Sequence, residues 1–196
     1  NLGQQAPILL IAGFYGAGSA GLIGLTQRVL AVPVTVVGLA IAQVYLGSLA
    51  RYARGEIAAS RALFWKTSRN LAILGTTGGF IVALVAPWSF AMAFGPDWTQ
   101  SGYIAQAMVP LFITQMIASP TSPTLIVFEK TLTQLMWDIF RLIALIVPVF
   151  ACWKTGQSVL TAVVSLSIAG SVMYILLWLL CLRTLYQVRR DPTSRT

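Results

Sequence analysis

Long apolar runs separated by short polar breaks make up most of this chain. They cover approximately residues 2–16, 20–50, 68–94, 100–127, 133–152 and 158–185. A helix needs about 20 predominantly apolar residues to cross the hydrocarbon core of a bilayer, and every run except the first has that length. Only 9% of the residues are charged, against about 25% in an average soluble domain. We therefore predict an all-α integral membrane protein, built as a six-helix transmembrane bundle.

The first run differs from the others because it is too short to span a bilayer. The sequence begins at Asn1, and no basic segment precedes the run as it would in a signal peptide. We expect this span to be truncated and an N-terminal part of the protein to be missing. Residues 1–196 would then form a single bundle that ends in a cytoplasmic tail at residues 186–196.

The basic residues indicate how the bundle is oriented. Ten of the thirteen fall on one side when the runs alternate in direction: Arg51, Arg54, Arg61, Lys66, Arg69, Lys130, Arg183, Arg189, Arg190 and Arg195. Cytoplasmic loops carry an excess of Lys and Arg, which predicts that both ends of the sequence are cytoplasmic. The net charge of +8 follows from this orientation, and no nucleic-acid partner is expected because the basic residues flank apolar spans.

The segment from Arg51 to Lys66 allows two interpretations. It can form an amphipathic helix on the membrane surface, with its arginines contacting anionic lipid headgroups. It can equally be the end of one span followed by a linker to the next.

Arg28 lies within the second run, where a charged side chain is costly. Residues three or four apart share a helix face, and the other residues on the Arg28 face are all small: Gly21, Gly24, Ala31, Thr35, Gly38 and Ala42. The opposite face is bulky and suited to lipid tails: Ile23, Leu30, Val34, Val37, Ile41 and Val44. We therefore expect Arg28 to face neighbouring helices or a water-filled cavity.

Two roles for Arg28 remain open. It can lock the bundle by pairing with helix carbonyls or a carboxylate, or it can hold an anionic substrate in a central cavity. A guanidinium group suits phosphate and carboxylate ligands because it donates two parallel hydrogen bonds. The polar groups that would complete such a site, or would equally form interhelical hydrogen bonds, are Gln27, Thr35, Gln43, Gln106, Thr114 and Gln115.

Asp138 and Arg141 form the second charged feature inside a run. They lie three residues apart on one helical face, so we expect them to neutralise each other as a structural pair. Asp138 is also the only carboxylate inside any predicted span. It is therefore the candidate for ion coupling if transport is driven by protons through this segment.

Three prolines are expected to act at helix kinks or gates, because each removes a backbone donor from its helix. Pro33 follows Arg28 by five residues and would act as a pivot or as a packed bend. Pro110 lies within the fourth run. Pro120 belongs to Ser119–Pro123, a stretch expected to interrupt a helix either as a gate or as a plain helix end.

The sequence offers little for catalysis. It contains no histidine, and its two cysteines, Cys152 and Cys181, lie in different apolar runs. We expect no metal site, no structural disulfide and no cofactor, and we interpret the protein as a transporter rather than an enzyme.

The order of several short motifs resembles that of polysaccharide-export flippases of the multidrug/oligosaccharidyl-lipid/polysaccharide superfamily. In that family an apolar helix begins after a Pro, ends in Tyr-Gly or Phe-Gly, and is followed by a small-residue turn and a helix carrying Arg and then Pro. The matching residues are Pro7, Tyr15, Gly16, Gly21, Arg28 and Pro33, followed by Gln43 and Val44. The family's later Phe-Gly-x-x-Trp turn, and the Gly, Tyr and Pro after it, correspond to Phe94, Gly95, Trp98, Gly102, Tyr103 and Pro110.

This resemblance implies a protein of two six-helix bundles around a central cavity, with this sequence as the C-terminal bundle. It implies the movement of undecaprenyl-pyrophosphate-linked oligosaccharide repeat units, for O-antigen, capsule or exopolysaccharide, across the bacterial inner membrane by alternating access. Arg28 would contact the pyrophosphate or acidic sugars. The implied partners are this lipid-linked oligosaccharide, membrane lipids, the polysaccharide polymerase and other assembly proteins.

Other functions remain open. Lipid II flippases and multidrug or toxin extruders belong to the same superfamily, although the Phe94–Trp98 turn favours the polysaccharide branch and a positive cavity wall suits drug cations poorly. A membrane glycosyltransferase or polymerase of the same pathway would need acidic or histidine residues near the interface. A purely structural membrane subunit would use Arg28 for stability alone.

Overall fold

The computed structural model describes residues 2–53 and 55–187, without the side chains of residues 2–8 and of Pro33. Within these ranges the helices are α1 (Leu2–Tyr15), α2 (Ala17–Tyr52), α3 (Ile57–Phe94), α4 (Thr99–Ala118), α5 (Pro123–Val127), α6 (Thr131–Lys154) and α7 (Val159–Gln187). Two short 3-10 turns, Pro96–Trp98 and Ser119–Thr121, precede α4 and α5. The described residues contain no strand, and the all-α prediction is confirmed.

Five helical segments of the described chain are long and apolar enough to cross a membrane. They are α2, α3, the segment Pro96–Val127 that contains α4 and α5, α6 and α7. The first helix, α1, has only 14 residues and is therefore about 21 Å long. A hydrocarbon core is about 30 Å thick. The structure is thus compatible with a multi-pass membrane protein, and α1 is the one expected span that lacks the length to cross by itself.

Helices α2 and α3 are longer than the predicted spans and are joined by a short turn. Since α2 continues to Tyr52 and α3 begins at Ile57, the described part of Arg51–Lys66 consists of two helix ends and this turn, and not of a separate surface helix. The two helices have 36 and 38 residues, or about 54 and 57 Å. Both must therefore tilt in a bilayer or extend beyond it.

The centre of the bundle is formed by α4 and α7. Helix α3 packs on α4, α6 packs on α7, and α1 contacts both α2 and α6. Ile104 and Met108 of α4 and Leu166 and Leu177 of α7 are almost completely buried in the main apolar cluster. In their most apolar stretches, 44% of the residues of α7 are buried, but only 6% of those of α2. Helix α2 is therefore the peripheral element, with much of its surface left for lipid or for a cavity.

Two glycines allow close contact between helices. A Cβ atom on Gly102 of α4 would lie 2.3 Å from the Cα of Pro87 on α3. A Cβ on Gly170 of α7 would lie 2.5 Å from a methyl carbon of Leu111 on α4. Small residues at membrane-helix contacts let the backbones approach closely, and here they hold α3 and α7 against the central helix.

Buried polar groups connect α2 to its neighbours. The Thr26 hydroxyl lies 2.9 Å from the carbonyl oxygen of Ser101, whose own hydroxyl donates to the Leu22 carbonyl at 3.1 Å. Farther along α2, the Tyr45 hydroxyl lies 2.7 Å from the Thr124 hydroxyl. These bonds satisfy polar groups that lipid cannot, and they fix α2 against α4 and α5.

Most basic residues of the described chain lie at one end of the bundle, which we call the basic end: Arg51, Arg61, Lys66, Arg69, Lys130 and Arg183. Arg61 joins two helices there, because its Nε and Nη2 donate to the Leu185 carbonyl at 3.2 and 3.0 Å. Its guanidinium group also lies 4.2 Å from the centre of the Tyr186 ring. Helix α7 continues to Gln187, and residues 188–196 of the predicted tail lie outside the described residues.

The bulky face of α2 is placed differently from the expectation. Ile23 is only 2% exposed, and Leu30, Val34 and Val37 line an apolar slot against α3 and α4. Val44, nearer the basic end, is 72% exposed. The prediction that this whole face meets lipid is therefore wrong for its first half. Lipid tails and apolar helix faces accept the same side chains, so hydrophobic periodicity does not distinguish them.

The contact between Gly102 and Pro87 predicts a large effect of one added methyl group. Gly102→Ala should lower the free energy of unfolding by about 1–3 kcal/mol, because the backbones of α3 and α4 must move apart. Gly78→Ala is the matched control, since a Cβ there meets no atom within 4 Å. The melting temperature of each variant is measured in detergent from its thermal aggregation, followed by size-exclusion chromatography. Equal melting temperatures for the two variants would contradict the close contact.

Candidate functional site

A cavity of about 590 Å³ lies between α2, α4, α6 and α7. Its walls contain two arginines, and we call it the basic cavity. The residues that line it are Ala20, Gly21, Gly24, Leu25, Gln27, Arg28 and Ala31 of α2, Trp98 of the turn before α4, Met108, Leu111, Phe112 and Gln115 of α4, Arg141 and Leu145 of α6, and Gly170 and Tyr174 of α7.

The small residues of α2 leave the space that forms this cavity. Gly21, Gly24 and Ala31 are on its wall, and a Cβ on either glycine would meet no atom within 4 Å. Gly170 has the opposite role on the far wall, where its lack of a side chain lets Leu111 approach. The small face of α2 therefore borders the cavity along this stretch, whereas α4 and α7, which form other walls of the cavity, pack tightly against each other.

Arg28 is exposed and lies on the wall formed by α2. Its guanidinium group makes no hydrogen bond, ion pair or cation–π contact with any described residue. Arg28 therefore lies where the small face predicts, on a cavity in which its guanidinium group can be hydrated. Its five N–H donors face this space without a protein acceptor among the described side chains.

Arg141 of α6 is a second cation on the same cavity. Its side chain is 15% exposed, and its Nη1 donates to the Tyr174 hydroxyl at 2.9 Å. The guanidinium also lies 4.9 Å from the centre of the Trp137 ring. Its Nε is buried without a hydrogen-bond partner in the described structure. Sequence reasoning treated Arg141 only as the partner of Asp138, although any charge within a span is a candidate functional group.

Asp138 forms the expected intrahelical pair, with Oδ1 3.4 Å from Arg141 Nη2. Its side chain is 44% exposed, and it is not among the residues that line the basic cavity. Gln134 Nε2 lies 3.5 Å from the other carboxylate oxygen. An ion pair with a half-exposed carboxylate is weak, because water solvates Asp138 well once it separates from Arg141. Arg141 can therefore exchange Asp138 for an anionic ligand that binds it more strongly.

The predicted polar residues divide into two groups. Gln27 lines the basic cavity beside Arg28, and Gln115 lines it from α4. Thr35 and Gln43 do not line it, although both are exposed. The Thr35 hydroxyl donates to the Ala31 carbonyl within its own helix. Both positions follow Ala31, the last residue of α2 that lines the cavity. They therefore lie farther along the helix than the cavity reaches.

Gln106 and Thr114 have structural partners. The Gln106 side-chain amide donates to the Ala83 carbonyl and so joins α4 to α3. The Thr114 hydroxyl donates to the Pro110 carbonyl at 2.9 Å, one turn earlier in α4. Both side chains donate to backbone carbonyls of the bundle. This is the structural role that the sequence left open for them beside ligand binding.

The prolines differ in position. Helix α2 continues through Pro33, whose side chain lies outside the described residues, and α4 continues through Pro110. Pro120 is buried in the 3-10 turn between α4 and α5, 3.7 Å from where a Cβ on Gly38 would lie. The stretch Ser119–Pro123 therefore interrupts the helix and packs on α2. Pro110 and Pro120 are not among the residues that line the basic cavity.

Trp98 is a cavity residue that sequence reasoning used only as part of a motif. It belongs to the turn Phe94–Trp98, in which Gly95 has a φ of 101°, a backbone conformation that favours glycine. Trp98 thereby lines the same cavity as the small residues of α2. Both residues of this turn could be read from the sequence, but the place of Trp98 on the cavity depends on how the helices pack.

The chemistry available in the basic cavity is that of anion binding. Its lining residues include two guanidinium groups, two primary amides and a phenol, and no carboxylate. The described residues contain no group of three His, Cys, Asp or Glu side chains that could hold a metal ion. Both cysteines are free thiols in the described structure.

No family model, curated protein or solved structure matches this chain. Function is therefore inferred from the basic cavity and its two arginines, together with the order of the short motifs.

The two arginines predict that a thiol in the basic cavity reacts preferentially with anions. We expect Gly24→Cys, in a background with Cys152→Ser and Cys181→Ala, to react faster with a negatively charged methanethiosulfonate than with a positively charged one. Relative to free cysteine, the ratio of rates should be about fivefold higher, which corresponds to about 1 kcal/mol of Coulomb energy. Mass spectrometry of the labelled protein in detergent measures both rates.

Charge variants test the origin of this preference. Adding Arg28→Gln to the Gly24→Cys protein should lower the ratio and leave the part that is due to Arg141. Arg51→Gln removes the same charge from the same helix, away from the cavity, and should leave the ratio high. A ratio that responds equally to both variants would contradict a local field in the cavity.

Proposed function

We propose that this protein is a flippase that moves an undecaprenyl-pyrophosphate-linked oligosaccharide across the bacterial inner membrane. The basic cavity would hold the pyrophosphate and the first sugars while the lipid tail stays in the bilayer. The observation that carries the proposal is the presence of Arg28 and Arg141, from two different helices, on one intramembrane cavity without a carboxylate among its lining residues.

Two guanidinium groups suit a pyrophosphate because it carries at least two negative charges and many acceptor oxygens. Each Arg can donate a pair of parallel hydrogen bonds to one phosphate, and such bonds are about twice as strong as neutral ones. The free donors of Arg28 and the unpartnered Nε of Arg141 supply this capacity. Gln27 and Gln115 would bind sugar hydroxyls, since a primary amide both donates and accepts.

Arg141 suggests how binding is linked to a change of conformation. In the structure it is shared between Asp138 and Tyr174. A phosphate that binds Arg141 would compete with the half-exposed Asp138 carboxylate and with the Tyr174 hydroxyl, and loss of the bond to Tyr174 would alter the contact between α6 and α7. Alternating access needs such a difference in ligand contacts between two states. The resemblance further implies that a second six-helix bundle completes the transport pathway, with the basic end facing the cytoplasm.

The other candidate functions receive less support from the cavity. A drug-cation extruder would place carboxylates on the wall, but Asp138 is not among the lining residues. A lipid II flippase would use the same two arginines, because lipid II also carries a pyrophosphate. Competition between lipid II and a lipid-linked oligosaccharide in a transport assay distinguishes these two substrates.

Arg28→Ala should abolish complementation of a flippase-deficient strain, as measured by surface polysaccharide, while the protein still inserts in the membrane. In proteoliposomes that contain a fluorescent undecaprenyl-pyrophosphate-linked sugar, the rate of translocation should fall at least about tenfold, because one charge-assisted interaction contributes about 1.5–3 kcal/mol. Arg28→Lys keeps the charge but not the paired hydrogen bonds, so it should keep a part of the rate.

Arg51→Ala is the matched control, because it removes the same side chain from the exposed end of the same helix. Its translocation rate should equal that of the wild type. Normal surface polysaccharide with Arg28→Ala would overturn the proposal. Loss of function together with loss of the folded protein would instead support the structural-subunit alternative, which Arg28→Lys then tests separately.

A further inference from the structure

We propose that a crevice between α3 and α7 at the basic end binds one anionic phospholipid, with Arg69 at its headgroup. The crevice has a volume of about 310 Å³ and is lined by α3, α4 and α7. Tyr174 separates it from the basic cavity, since its side chain lines both. The proposal does not depend on the transport function, because this ligand would be a membrane lipid and not the cargo.

The α3 wall of the crevice is one continuous helix face. Trp65, Ser68, Arg69 and Ala72 line it at spacings of three, one and three residues, which places them on successive turns of the same side. On α7 the lining continues with Ile175 and Trp178, and Ile117 of α4 forms part of the floor. Three helices thus border the crevice, and each contributes at least one apolar side chain to it.

The depth of the crevice matches a lipid that stands at the membrane boundary. Arg69 is the last charged residue of α3 before the uncharged stretch 70–94, and Arg183 is the first charged residue of α7 after the uncharged stretch 159–182. Arg69 therefore lies at headgroup level. Ala72, Ile117 and Ile175 lie on the apolar side of it, where an acyl chain would run.

The tryptophan wall is held in place before any lipid binds. The Trp178 indole N–H donates to the Ser68 hydroxyl at 2.9 Å. The Trp178 ring lies 5.5 Å from the Phe64 ring and 5.3 Å from the Trp65 ring, centre to centre. Amphipathic indole rings are favoured at headgroup level, and a fixed wall reduces the entropy lost when a chain packs against it.

Charge favours an anionic headgroup over a zwitterionic one. Arg69 is exposed at the mouth of the crevice, and Lys66 lies one turn nearer to the basic end. No carboxylate is among the residues that line the crevice. A lipid phosphate without a compensating ammonium group would therefore meet an uncompensated guanidinium, which attracts it by about 1 kcal/mol near a membrane surface.

Quenching of tryptophan fluorescence by brominated lipid tests the proposal. The protein is placed in phosphatidylcholine nanodiscs that contain a small fraction of either brominated phosphatidylglycerol or brominated phosphatidylcholine. We expect stronger quenching by the phosphatidylglycerol, and we expect Trp65→Phe to remove part of this excess. Arg69→Gln should lower the preference for phosphatidylglycerol about fivefold, and Arg69→Lys should retain it.

Lys66→Gln is the matched control, because it removes one charge from the same helix end but does not line the crevice. It should change the preference less than twofold. Equal quenching by the two lipids would overturn the proposal, and so would an excess that Trp65→Phe leaves intact. Equal losses in Lys66→Gln and Arg69→Gln would show a diffuse attraction to the basic end instead of a site. Size-exclusion profiles of each variant verify that the fold is retained.

Discussion

A guanidinium group inside a membrane must be hydrogen-bonded or hydrated, and this requirement explains how the centre of the bundle is arranged. Even the lowest scales assign a cost of about 3 kcal/mol to an arginine at the middle of a lipid-exposed helix. Arg28 meets the requirement by facing a cavity, and Arg141 by sharing its donors between Tyr174 and Asp138. The cavity exists because the α2 wall has no side chains large enough to close it. Two arginines from different helices thus line one space.

Glycine serves two opposite purposes in this structure. At Gly102 it permits contact between two backbones that any side chain would prevent, and at Gly170 it leaves room for the Leu111 side chain. At Gly21 and Gly24 a side chain would meet nothing, and the absence of one enlarges the cavity. The first pair lets α3 and α7 pack closely on α4, whereas the second leaves open space beside α2 along one stretch. Close packing on one side of the cavity and open space on the other would suit the large headgroup of the proposed substrate.

The helices and the face of Arg28 could be predicted, since both depend on patterns within a single segment. The length of apolar runs predicted the membrane character, and spacing along α2 predicted that Arg28 and the small residues share a side. Other expectations failed where one helix meets another. Ile23 and Leu30 were expected to face lipid and are packed against neighbours, because apolar partners and lipid tails select the same residues. Thr35 and Gln43 lie on the right helix but beyond the edge of the cavity.

Periodicity reports the direction of a side chain around its own helix axis, and this was sufficient for the fold class, the pair of Asp138 with Arg141, and the inward face of α2. It does not show which residues of other helices that side chain will meet. Arg141 reaches the same cavity as Arg28 only because α6 packs on α7, where Trp137 donates to the Met173 carbonyl at 2.8 Å and Tyr174 holds the guanidinium. Trp98 and the crevice at Arg69 likewise depend on helices far apart in the chain. Such positions follow from how whole helices fill space together, which no single segment encodes.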